Sequence, residues 1–194
     1  HAAVHVPAYL QSHKIPAHYF DIKKFKARLL EITKKYFNSE ELVENVSNYQ
    51  IFLDKNKIES LGLEVSTVAQ KIADELINFD GVYKVVTART LQTTNFTDGI
   101  LNSLQNGYNQ KLSGDVLMIP NPATLIYGKK GTSHGSGYSY DTHVPIIFYG
   151  NGIKQGSSSK RYNITDIAPT IANFLKIEAP NGTNGDVIDE VLKK

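Results

Sequence analysis

Apolar residues recur at helical spacing in two long stretches of the chain. Ile22, Phe25, Leu29, Ile32 and Phe37 fall near one face, which predicts a helix from Ile22 to about Phe37. Asp21 is its N-cap, and Lys23, Lys24, Lys26, Lys34 and Lys35 project outward as a solvated face. Val68, Ile72, Leu76 and Ile77 mark the inner face of a second helix that begins at Ser66 and is ended by Gly81. Short β-branched runs predict strands at Tyr49–Leu53, before a polar turn at Asp54–Lys57, and at Val82–Val86 with Thr87. Val116–Ile119 is a third, stopped by Pro120-Asn121-Pro122, with a continuation over Ala123–Tyr127. A short helix is expected over Gly99–Tyr108. A last one runs from about Asp166 to Leu175, capped by Thr165, with Pro169 in its first turn and Ile167, Ile171 and Leu175 inward.

The run from Gly131 to Gly150, GTSHGSGYSYDTHVPIIFYG, joins a polar, Gly-rich loop to an apolar segment. Val144–Tyr149 is apolar on both faces, which predicts an interior strand of a covered, mostly parallel sheet. A loop at the edge of such a sheet is where chemistry is usually done. His134 is the imidazole most enclosed by glycines and is the first candidate metal ligand. Asp141 is expected to cap or pin the turn before Val144, while Tyr138 and Tyr140 either wall the site or pack. His143 fits packing at a strand edge, His13 and His18 fit exposed loop positions, and His5 stays open. A triad of Ser136, His134 and Asp141 is a poor alternative. Residues so close in one loop rarely reach base-orienter geometry, and no Gly-x-Ser-x-Gly elbow follows a strand.

Composition narrows the function classes. The 194 residues suffice for one substantial core, or one core with an appended subdomain. A formal charge of +2 is too small to argue for nucleic acid, and no apolar run reaches membrane-spanning length. With no Cys, a metal would need His and carboxylate ligands.

The HGSGYSYDTHVPIIFYG run resembles the C-terminal motif of the alkaline phosphatase superfamily, in its PafA-like branch, related to type I phosphodiesterases and nucleotide pyrophosphatases. Thr132, His134, Gly135, Ser136, Tyr140, Asp141, Val144 and Pro145 carry the resemblance. So does the opening His1-Ala2-Ala3-Val4-His5-Val6-Pro7, because His1 stands where the family has the His of an Asp-His metal pair. The resemblance implies two active-site zinc ions, with His134 a ligand of one and His1 of the other. It implies that the Thr or Ser nucleophile, which forms a covalent phospho-enzyme, and the remaining ligands lie upstream of this chain. By itself the chain is then expected to hold zinc weakly or not at all and to be inactive, because one His per ion falls short of three protein ligands.

The expected fold is α/β: a three-layer sandwich fragment of the alkaline phosphatase type. Residues 1–194 form the C-terminal portion of one catalytic domain, and residues 21–95 an inserted small α+β, ferredoxin-like subdomain. The implied partner is a small phosphate-ester substrate, with no nucleic acid and no membrane span, in the periplasm or outside a bacterial cell. An incomplete sheet has three ways to persist alone: a homodimer of the fragment, exchange of elements, or exposed apolar edges. The competing class is a non-catalytic α/β binding module with a vestigial His loop.

Overall fold

The structure, a computed structural model, describes residues 3–126, 131–153 and 155–192. The chain forms two compact units, His1–Val144 and Pro145–Lys194. In the first, α1 (Pro7–Ser12) and β1 (His18–Tyr19) lead to α2 (Ile22–Phe37), β2 (Val43–Ser47), β3 (Gln50–Leu53), α3 (Lys55–Ser60) and α4 (Val65–Leu76). Then come β4 (Val82–Thr87), α5 (Ala88–Thr93), α6 (Gly99–Asn106), β5 (Val116–Pro120), β6 (Thr124–Leu125) and α7 (Ser139–Thr142). The second unit holds a 3-10 turn at Ile164–Asp166, α8 (Ile167–Leu175) and α9 (Asp189–Leu192).

Asp21 starts α2 as expected, its carboxylate accepting the amides of Lys23 and Lys24, and Phe25, Leu29 and Ile32 are buried while the lysines face solvent. A four-stranded sheet has the order β2-β3-β5-β4 with every neighbouring pair antiparallel. Strands β3 and β4 therefore run the same way with β5 between them, a split strand-helix-strand arrangement whose central strand lies outside residues 21–95. The sheet expected to be mostly parallel is antiparallel here; among the described residues, parallel pairing is confined to β1 with β6, at His18 with Thr124 and Tyr19 with Leu125. All of β5 is buried because it serves two cores. Val116 and Met118 join Phe25, Leu29, Ile32, Ile72 and Leu76 on one face, and Leu117 joins Val86 and Leu91, against Leu101 and Leu104 of α6, on the other.

Several expectations are corrected. Asp54–Lys57 is not a bare turn: Asp54 caps α3 by accepting the Lys57 amide at 2.9 Å, and Ile58 plugs the core. Strand β2, too polar to stand out, forms because its hairpin partner β3 is buried. Ile77 lies past the end of α4 and is exposed. Tyr49 belongs to the turn before β3, and only Thr124–Leu125 of the Ala123–Tyr127 run pairs as a strand, Tyr127 lying outside the described residues. Val144–Tyr149 is not an interior strand: Ile147 is 81% and Tyr149 100% exposed, and no strand pairs with the segment among the described residues. A pattern apolar on both faces reports what a segment would bury if partners stood beside it, and here none does. Likewise α8 buries Pro169, Thr170 and Ala172, not Ile171 and Leu175, which are exposed.

The second unit is organised by Asp166, not by the Thr165 cap expected. Asn163 and Asp166 form a reciprocal capping box, Asp166 Oδ1 accepts the Asp186 amide at 3.0 Å, and the Thr170 hydroxyl accepts the Ile188 amide at 2.9 Å. The returning tail passes so close at Gly185 that a Cβ there would collide with the Thr165 carbonyl.

Asp115 is the polar keystone of the sheet. Its Oδ2 accepts the Leu53 amide at 2.9 Å, its Oδ1 faces Lys55 Nζ at 3.2 Å, and its carbonyl accepts the Ala88 amide at 2.9 Å. Asp115→Ala leaves a buried N–H without a partner, and a loss of about 1–3 kcal/mol is expected in urea unfolding, with Asp115→Asn between. An unchanged midpoint for the alanine variant would contradict the role given to this carboxylate.

Candidate functional site

The segment before α7, residues 131–138, is held by bonds that begin in its own sequence. Gly135 has φ +127°, a conformation in which a Cβ is strained, and this lets two successive amides aim at one acceptor. Gly135 N and Ser136 N donate to Asp141 Oδ2 at 3.1 and 2.7 Å, and Ser136 Oγ donates to the same oxygen at 2.6 Å. Asp141 therefore pins the turn that precedes it. It sits on α7, which two tyrosines staple to the sheet: Tyr138 donates to the Pro120 carbonyl at 2.8 Å, and the Ala123 amide donates to Tyr140 Oη at 3.0 Å. Their rings stack at 5.5 Å, so both pack and staple, and Tyr140 also walls the cavity described below. Thr132 Oγ1 donates to the Val4 carbonyl at 2.7 Å, drawing the N-terminal segment against the same loop.

Together these elements enclose a cavity of about 190 Å³ lined by Val4, Asn48, Tyr49, Thr124, Leu125, Ile126, Ser133, His134, Ser136, Tyr140 and Asp141. Asn48 and Tyr49 were not singled out as site residues from the sequence. They form the two-residue β2–β3 turn with φ of 49° and 61°, a left-handed conformation that costs a tyrosine about 1–2 kcal/mol. The signal that could have found them is the two-residue spacing between paired strands, hidden because β2 was not recognised. Thr124 was missed too; its Oγ1 and Asp141 Oδ1 are buried without hydrogen-bond partners among the described residues. A larger open hollow of about 470 Å³, lined by Ser66, Thr67, Gln70, Lys71, Asp74, Thr87 and Arg89, shares no residue with this cavity and contains no histidine.

The histidines separate clearly. His134 lines the cavity and is exposed, whereas His1, the other proposed ligand, lies outside the described residues. His5, Tyr9 and His13 form a ladder of rings along α1, at 4.9 and 4.3 Å, with His13 Nδ1 2.9 Å from the Tyr9 carbonyl. His18 is exposed on β1, and His143 ends α7 in solvent and does not pack at a strand edge. The triad is not assembled, because the Ser136 hydroxyl donates its hydrogen bond to Asp141 and not to an imidazole.

Over 193 residues the chain is 35% identical to alkaline phosphatase PafA of Elizabethkingia meningoseptica, covering 99% of this chain and 35% of that protein. It superposes on a crystal structure of wild-type PafA with a TM-score of 0.87 and 36% identity, over 98% of this chain and 36% of that one. The chain belongs to the alkaline phosphatase superfamily, in its PafA-like branch. Alkaline phosphatase PhoV of Synechococcus elongatus is 32% identical over 200 residues, and a protein of Myroides odoratus named calcium-transporting ATPase is 37% identical over 196, each match spanning 100% of this chain. No family model matches. The chain spans about a third of the length of these relatives. The mixed α/β fold expected for the superfamily is the fold observed, with helices on both faces of the antiparallel sheet. No helix among the described residues is long and apolar enough to cross a membrane.

Whether the superfamily site could hold a metal here is a question of donors. No three His, Cys, Asp or Glu side chains gather among the described residues, and the Asp141 oxygen that makes bonds is committed to Gly135 and Ser136. The described residues fit the contribution of one imidazole, from His134, and do not fit holding an ion alone.

Burial, reinforced by electrostatic repulsion from the neighbouring Tyr140 and Asp141 side chains, pushes the Tyr49 phenol up to about 12. An acid whose folded pKa is raised holds its proton more tightly when folded, so its contribution to stability is complete below the unfolded value of about 10 and lost as pH rises towards the folded value. Stability against urea is therefore expected to fall more steeply from pH 10 to 12 in the native chain than in Tyr49→Phe. Parallel profiles for the two proteins would show that Tyr49 does not titrate as described.

Proposed function

We propose that this chain is part of a zinc-dependent phosphate-ester hydrolase, a phosphomonoesterase or phosphodiesterase acting through a covalent phospho-Thr or phospho-Ser intermediate, and that it contributes His134 and His1 as metal ligands. The observation that carries the proposal is the Thr132–Val4 bond, which ties Val4, three positions after His1 in the sequence, to the loop that bears His134. Two motif pieces separated by most of the chain converge there. When bound, zinc would polarise the phosphoryl oxygens and lower the pKa of the attacking hydroxyl. The residues of this chain shape the surroundings: Asp141 fixes the loop, Tyr140 and Tyr49 wall the cavity, and His134 offers its imidazole at the rim.

The same proposal holds that the chain alone is inactive and binds zinc weakly or not at all, since one His for each ion is too few. The exposed Ile147, Tyr149, Ile171 and Leu175 support it, being the surface that the rest of a larger α/β sandwich would cover. A periplasmic or secreted setting belongs to the proposal, and the cysteine-free composition is compatible with it. The test is a phosphatase and phosphodiesterase assay, with zinc content, on the full-length enzyme, its His134→Ala variant and the 194-residue chain. Activity surviving the substitution would remove the assignment. Turnover with tightly bound zinc in the chain alone would remove the claim that it is incomplete.

A further inference from the structure

We infer that Asp141 is the positioning residue for His134: its carboxylate holds the loop in the backbone shape that presents the imidazole. All three of its hydrogen bonds go to the two residues that follow His134, from Gly135 N at 3.1 Å, Ser136 N at 2.7 Å and Ser136 Oγ at 2.6 Å. Three donors on one ionised oxygen make a charge-assisted clasp, stronger than neutral bonds of the same geometry. The turn it closes needs φ +127° at Gly135, which most side chains would resist, so the loop has little intrinsic preference for this shape and depends on the clasp.

The clasp is itself anchored. Asp141 rides on a short helix whose Tyr138 and Tyr140 bond to Pro120 and Ala123, at the end of the fully buried β5 and just before β6. A continuous line of bonds thus runs from the central strand through α7 and Asp141 to the peptide beside His134. The second carboxylate oxygen, Oδ1, is buried with no hydrogen-bond partner among the described residues, so the side chain is not placed for its own solvation. An aspartate that merely capped α7 would bond to that helix's own amides, and this one bonds to the His loop instead.

The inference concerns how the imidazole is placed. Only its consequence for turnover rests on the function proposed above. In the 194-residue chain, amide exchange by NMR and the ring carbon-proton signal of His134 would be compared in native protein, Asp141→Ala, Asp141→Asn and Ser136→Ala. In Asp141→Ala the Gly135 and Ser136 amides are expected to exchange about 10- to 100-fold faster while Val116–Ile119 stay protected, and the His134 signal to move towards its unfolded position. Asp141→Asn, which keeps an acceptor without the charge, should recover part of both effects.

Faster amide exchange with an unmoved His134 signal would reduce Asp141 to a loop staple, and unchanged exchange would show that the clasp holds nothing; either overturns the inference. Should Asp141→Ala also unprotect β5, the milder Ser136→Ala decides, an unmoved His134 signal again overturning it. Retained activity in the full-length His134→Ala enzyme would sink the proposed function and leave these loop measurements standing, so the two failures are distinguishable.

Discussion

On the function proposed above, His134→Ala in the full-length protein is expected to lower kcat/KM for phosphate esters at least about 100-fold, since even partners that only orient metal ligands are worth about 10- to 100-fold. The loss should appear with reduced zinc content and little change in unfolding midpoint. His134 is exposed and lies outside the hydrophobic core clusters, so its removal is expected to take away the proposed donor while leaving the core packed. Asp141→Ala should be the milder lesion, because it disorders the loop without deleting the imidazole. A His134→Ala enzyme with normal zinc content and a slow chemical step would relocate His134 from metal ligand to substrate contact. One with normal zinc and normal rate would leave the binding-module reading as the better account of this loop.

What was legible beforehand depended on whether the information was local. Helix α2 was readable to its cap because Asp21 and the inward Phe25, Leu29 and Ile32 state both the start and the buried face within one segment. Strands β4 and β5 were readable for the same reason, their β-branched and apolar runs being bounded by Gly81 and Pro120. The antiparallel pairing was not, since direction is set by which strands meet: a run as apolar as β5 serves an interior antiparallel strand as well as a parallel one. Val144–Tyr149 and the Ile171–Leu175 face of α8 failed differently. Their apolar patterns describe a need for burial that the described residues do not meet.

The site divides along the same line. Its His134, Ser136 and Asp141 lie within one short motif and were singled out together, and that Asp141 pins a turn was foreseen, though the turn is the one before it. Asn48, Tyr49 and Thr124 reach the cavity only because the β2–β3 hairpin and the β1–β6 pair deliver them there. Nothing in their local sequence announces a site, and long-range pairing cannot be read from a segment by itself.

The largest stability effect is expected at the aromatic centre of the first unit. Phe25 is 1% exposed, and its ring meets those of Phe20 at 5.2 Å and Phe79 at 5.3 Å, in tilted and edge-on contacts. The trio ties α2 to the residue following β1 and to the turn between α4 and β4. Phe25→Ala should cost about 3–5 kcal/mol, the range for a buried aromatic whose cavity cannot collapse. Against a total of about 5–15 kcal/mol for a domain, that leaves the unit marginal. Phe25→Leu, which keeps most of the volume, should lose far less, so a graded series in urea midpoints separates cavity formation from any general intolerance of change at this position. Tyr149→Ala is the matched control. Fully exposed here, it should shift the midpoint of the 194-residue chain by no more than about 0.5 kcal/mol, whereas an interior strand would lose several. The same substitution in the full-length enzyme then asks what covers the segment: a loss there of about 3 kcal/mol or more, the size of a buried aromatic deletion, would mean that Tyr149 packs against residues outside this chain.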